Sequence, residues 1–229
     1  MTASYGTADA PRIAVRGEAR LEVAPEIARI GVTVGARGRD RRAALDDLTR
    51  RNAAVLDLVR SYGDAVERLE TGFLAITPET SAHGRGERVR TYHGRVHIGA
   101  VLRDFTSLGE LVTRLADLEL TQVDGPWWAL RPDSPVHREA RQQAVREAVQ
   151  RAREYAEAVG ASLAALVELA DIGAESAGPR PPGGGARARS ASLASLASAE
   201  EAPPLDLEPQ RQQVYAQVNA RFTMTPPRL

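Results

Sequence analysis

The stretch 213–222 reads QVYAQVNARF, and its apolar residues Val214, Ala216, Val218, Ala220 and Phe222 stand at two-residue spacing. A period of two puts all five on one face of an amphipathic strand. The strand follows the long stretch 173–209, which is rich in Gly, Pro, Ala and Ser and contains Pro181-Pro182-Gly183-Gly184-Gly185. A chain that returns from such a segment to end on one amphipathic strand is closing a sheet begun much earlier. The C-terminus therefore belongs to the main core, and the fold is α+β.

Outward from that strand, the rest of the chain supplies the sheet and its helices. Ile13, Val15, Gly17, Ala19, Leu21 and Val23 alternate with Arg16, Glu18, Arg20 and Glu22, a half-buried strand. Ala24-Pro25-Glu26 interrupts it, and Ile30, Val32 and Val34 resume the alternation as an expected hairpin partner. Asp40 is placed to cap a helix whose Leu45, Leu48, Val55 and Val59 recur at helical spacing and which ends before Gly63. A strand from about Val66 to Thr77, a polar turn around His83 to Glu87, and a strand carrying Val96, Ile98, Ala100 and Leu102 make a second expected hairpin.

Phe105, Leu108, Leu111, Val112 and Leu115 mark a short amphipathic helix, and 118–130 reads as a strand broken at Gly125-Pro126. From Ser134 to about Val159 runs the longest helix. Its Ala140, Ala144, Ala148, Ala152 and Ala156 recur every four residues, a stripe small enough to let the backbone lie close to a sheet. Gly160 is the expected helix stop, and Leu163 to Ile172 a further short strand. The expected organisation is a flexible 1–11 and a single domain over 12–229. It has antiparallel strands built from hairpins, two or three helices, a flexible arm at about 173–209 and the final strand returning to the sheet.

Composition excludes more chemistry than it suggests. The 229 residues include no cysteine, which removes disulfides and thiolate catalysis, and all 30 basic residues are Arg. Without Lys there is no P-loop lysine, no Schiff base and no Ser/Lys nucleophile pair. The 30 basic and 30 acidic side chains cancel, so the basic footprint of a nucleic-acid binder is missing despite the run Arg37, Arg39, Arg41 and Arg42. Aromatics at 4% are too few for a base-stacking platform.

The N-terminus lacks a basic region followed by an apolar run, and no span of membrane-crossing length and apolarity occurs. The expected location is cytoplasmic as the chain stands, or periplasmic or extracellular if a leader has been removed.

Three strings resemble one known family: IAVRGEARLEVAPEIARIGVTV from Ile13, VLRDFTSLGELV from Val101, and PDSPVHREARQQAVREAVQRAREYAEAVGASL from Pro132. Together they are similar to the SIMPL domain family, over roughly residues 12–224. The resemblance implies antiparallel strands packed on helices and brings no catalytic residue or cofactor. It also implies members that are often exported, one bacterial member that assembles into large hollow homo-oligomers, and animal relatives described as adaptors in receptor-kinase signalling.

No nucleophile elbow and no H-E-x-x-H string is present, and beside His137, Arg138 and Glu139 the sequence identifies no acid and nucleophile pair for hydrolysis. The expected protein is non-enzymatic, with no metal or cofactor, and it associates with itself or another protein. Its contact candidates are Trp127, Trp128, Leu193 and Leu196. Trp127 and Trp128 are adjacent, so an extended chain points one outward and one inward. The alternative is a small-molecule or anion cleft lined by His93, Arg95, His97 and Arg103, of which the first three share one face of a strand. Glu79 or Glu87 is the nearest carboxylate that a metal at His93 and His97 would need, and Arg95 between the two histidines opposes such a site.

Overall fold

A computed structural model describes residues 6–81, 88–171 and 203–228. Its elements are β1 (Arg12–Val23), β2 (Ile27–Gly38), α1 (Arg41–Arg60), β3 (Val66–Ser81), β4 (Arg88–Leu102), α2 (Phe105–Ala116), β5 (Thr121–Ala129), α3 (Pro135–Ala158), β6 (Leu163–Asp171) and β7 (Gln212–Met224). They form two antiparallel sheets, one of three strands in the order β1-β7-β6 and one of four in the order β3-β4-β2-β5. The chain divides accordingly into two compact units, one holding β1, α3, β6 and β7 and the other holding β2 to β5 with α1 and α2.

The three-stranded unit is built on a close approach between helix and strand. Ser134 caps α3 by accepting a hydrogen bond from the Val136 N–H, and all five alanines of the stripe are fully buried. Gly17 on β1 is the reason they can be: a Cβ there would stand 2.0 Å from the Ala144 carbonyl oxygen. Val15, Ala19, Val218, Ala220 and Phe222 complete this core. Gly160 follows the helix at φ +67°, the left-handed conformation that stops a helix and that side chains with a Cβ resist.

The C-terminal strand does return to the sheet. Met224 N–H donates to Pro11 O at 3.0 Å and Gln217 reaches Glu18, so β7 runs antiparallel along β1. On its other edge β7 pairs with β6, from Leu163 opposite Met224 to Asp171 opposite Val218.

In the four-stranded unit Asp40 caps α1 as expected, accepting from the Ala43 N–H at 2.8 Å. α1 and α2 lie on one side of the sheet. Ala28, Ile30, Val32, Val34 and Ala36 of β2 and Val96, Ile98, Ala100 and Leu102 of β4 meet Leu48, Val55 and Val59 of α1 and Leu108, Leu111 and Leu115 of α2. Leu45, expected on the buried face of α1, is 41% exposed, and Ala44 takes that place. The spacing 44, 48, 55, 59 keeps one azimuth on the helix, whereas 45 turns about 100° away. The segment after Pro203 crosses α2, where Leu205 N–H donates to Thr113 Oγ1 at 3.1 Å and Leu207 joins the core.

A pairing expectation also fails. β1 and β2 are not a hairpin: β1 pairs with β7, while β2 is central in the other sheet with β4 on one edge and β5 on the other. Alternation reports which face a residue takes and says nothing about which strand lies beside it. Ala24-Pro25-Glu26 is a passage between sheets, fixed where Glu26 N–H donates to Ala129 O and Glu26 Oε2 accepts from Arg131 N–H. The β3–β4 pairing is as expected, with its turn at His83 to Glu87 outside the described residues.

Candidate functional site

With α1 and α2 covering one face of the four-stranded sheet, the opposite face carries its polar and aromatic side chains. Register brings three strands into rows. Arg37, His93 and Thr77 stand abreast on β2, β4 and β3, and Gly35, Arg95 and Ala75 stand abreast in the next row. The small residues flanking Arg95 leave a concavity of about 350 Å³, walled by Phe73 and Leu120 and edged by Arg37 and His93.

The charges in this face are sorted along the strands. His93 Nε2 and Thr91 Oγ1 both donate to Glu79 Oε2, each at 2.7 Å. Those bonds, the His93 one foremost, hold the Glu79 carboxyl below the ordinary carboxylate range. Glu79 stands in the Thr91 row, at the hairpin end. Farther in, the Arg95 guanidinium makes no hydrogen bond or ion pair with any described residue.

His97 follows Arg95 on the same face but is committed to packing. Its Nδ1 shares a 3.2 Å hydrogen bond with Thr33 Oγ1, and its ring stacks on Phe73 at 5.8 Å. Gly31 makes room for it, since a Cβ there would stand 2.9 Å from the His97 ring. Arg103 is not brought to the concavity. It lies beyond the end of β4, about 25 Å from Arg95 at about 3.3 Å per residue, with its N–H donating to Ala65 O.

Trp127 and Trp128 take opposite faces. Trp127 is 55% exposed, while Trp128 packs edge-on against Phe105 at 4.8 Å. Leu193 and Leu196 lie outside the described residues, as does Glu87.

A second surface lies at β6, an edge strand of its sheet among the described residues. Leu166, Val167 and Leu169 are 54%, 43% and 47% exposed along the run LAALVELA. Leu166 and Leu169 pair with Phe222 and Ala220, so they stand on the face that α3 covers over β1 and β7. Glu168, the single charge in that run, is bound by Arg221 at 2.5 Å.

The SIMPL family, described as proteins of unknown function, matches residues 13–222. This chain belongs to that family. Among curated proteins it is similar to the 26 kDa periplasmic immunogenic protein of Brucella melitensis biotype 1, at 26% identity over 183 residues, or 77% of this chain and 70% of the relative. The protein of the same name from Brucella abortus strain S19 matches to the same extent. The SIMPL match spans both sheets, and its family description assigns no activity to either surface. Among the described residues, no helix is long and apolar enough to cross a membrane, and no three His, Cys, Asp or Glu side chains are grouped to hold a metal.

Sequence reasoning reached His93, Arg95 and His97 through their shared face. It did not join Arg37, Phe73 and Leu120 to them, because that depends on the register of three strands. It also passed over β6 as a surface, although its apolar run, with Glu168 as the one charge, was the available signal.

Proposed function

We propose that this SIMPL-family chain is a non-enzymatic module that works by associating with copies of itself, through the edge of β6 that no described strand pairs. The exposure of Leu166, Val167 and Leu169 on an edge strand carries the reading. An edge presents unpaired N–H and C=O groups, and proteins ordinarily blunt it with Pro, Lys or exposed charge. β6 has no Pro or Lys on its apolar run, its one charge there, Glu168, is held by Arg221, and its register shifts after Leu163 and Leu166 fall in the ladder with β7.

A second copy is the fitting occupant. Antiparallel pairing of β6 with itself sets apolar side chains against apolar ones, and no free charges oppose each other because Arg221 neutralises Glu168 in each chain. The product is one six-stranded sheet about a two-fold axis, an isologous contact. The name of the curated relatives supports a periplasmic location.

Absence of Lys and Cys supports the non-enzymatic reading, as do the commitments of His93 to Glu79 and His97 to Thr33. A second reading, ligand binding, is favoured by the concavity beside His93 and Arg95.

Cysteine scanning tests the first reading in a chain that has no native cysteine. Ala165→Cys, Leu166→Cys, Val167→Cys and Leu169→Cys are each oxidised, with Asp57→Cys on exposed α1 as control. Cα atoms facing each other across an antiparallel pair are about 4.5–5.5 Å apart, within disulfide reach. Rapid covalent dimerisation at one or two positions nearest the axis is expected. Cross-linking no faster than the control at every β6 position overturns the β6 contact.

A further inference from the structure

We infer that the concavity on the open face of the four-stranded sheet binds a small organic anion, its oxyanion headgroup between the Arg37 and Arg95 guanidiniums and its apolar body against Phe73 and Leu120. The inference rests on the ligand-binding reading of this face and names the ligand class.

Four observations converge on it. Register sets Arg37 one row from Arg95 on the neighbouring strand, a diagonal pair with Cα atoms about 7–8 Å apart. At that separation two guanidiniums can reach one carboxylate or phosphate from either side, the geometry in which Arg recognises oxyanions best.

Neither guanidinium is already neutralised by contact. The Arg95 side chain has no hydrogen bond or ion pair among the described residues, and that of Arg37 has none either, only the longer-range field of Glu79. Glu79 is drawn away from Arg95 by His93 and Thr91, which both hold its Oε2.

The space is specific to this row. Arg95 has Gly35 on one side and Ala75 on the other, so no side chain longer than a methyl fills the basin floor. Its volume of about 350 Å³ lies at the small end of ligand sites.

The walls are apolar where the floor is cationic. Phe73 is 52% exposed although His97 stacks on it and fixes its ring, and Leu120 faces it across the basin. An inorganic ion would leave both walls in water, whereas an anion with a flat apolar body uses all four groups.

Titration of the full chain with phenylacetate, followed by NMR of the Arg Nε–H and Phe ring signals, tests this, with phenylacetamide and inorganic phosphate as controls. Saturable shifts at Arg37, Arg95 and Phe73 are expected with phenylacetate. Arg95→Gln should weaken binding about tenfold or more, and Ala75→Leu, which fills the floor, should abolish it while the core signals stay in place.

Each contrary result has its own meaning. Equal binding of phenylacetamide overturns the anion but keeps a ligand site; equal binding of phosphate overturns the apolar body. No shift with any of the three overturns the site and the ligand-binding reading together.

Discussion

Asp47 shows how single side chains join elements in this fold. On α1 it accepts from Arg51 Nε at 2.9 Å and also binds Arg50, while Arg51 reaches on to the carbonyl and carboxylate of Glu119 before β5. The hydrogen bond from Arg51 does most to hold the Asp47 carboxyl below its ordinary 3.8. A carboxyl depressed by folding contributes stability that is complete above the unfolded pKa and lost as pH falls through the lower folded value. Asp47→Asn should therefore cost about 1 kcal/mol at neutral pH, and the gap from wild type should begin to close near about pH 4 and shrink as pH falls further. Urea unfolding at neutral and acid pH measures it; a gap that persists in acid refutes the ion-pair account. At this scale much was legible in the sequence. The Asp40 and Ser134 caps and the opposite faces of Trp127 and Trp128 follow from local rules that need no knowledge of neighbouring strands. The basin was legible only in part, since Phe73 joins it across a β3–β4 register shifted between Thr71 and Leu74, and no local pattern encodes a bulge on a distant partner.

Among the elements, α3 and β1 are the most tightly matched pair. Five alanines and one glycine replace the usual large core residues, and backbone comes against backbone. Gly17→Val should destabilise the three-stranded unit by about 3 kcal/mol or more, because its side chain meets main chain at Ala144 and Ala148, which cannot rotate aside. Urea unfolding followed by circular dichroism checks this, and near-wild-type stability contradicts the packing described. The alanine stripe announced a close approach, and its spacing of four residues sufficed to place it. The partner of β1 was not announced. A period of two gave β1 and β2 their faces correctly, but pairing is decided by the whole chain, and the nearest strand in sequence proved to be in the other sheet. Leu45 fell to the same kind of error on a helix, where a spacing of three residues to Leu48 fitted nearly as well as the spacing of four from Ala44 that the structure uses.

For the whole molecule, two antiparallel sheets are each completed by sequence-distant strands, and membership of the SIMPL family is consistent with both. The two surfaces proposed for function belong to different units and are built from different residues. A substitution at β6 should leave the Arg95 basin intact, and one at Arg95 should leave association intact. The central claim is that copies of this chain pair through β6, and absolute mass by light scattering behind size exclusion tests it most directly, for the full chain and for Val167→Lys with Leu169→Lys. The account predicts a wild-type mass of a dimer or larger multiple and a monomer for the substituted chain, with unchanged circular dichroism. A monomeric wild type, or an assembly that survives both lysines, contradicts it.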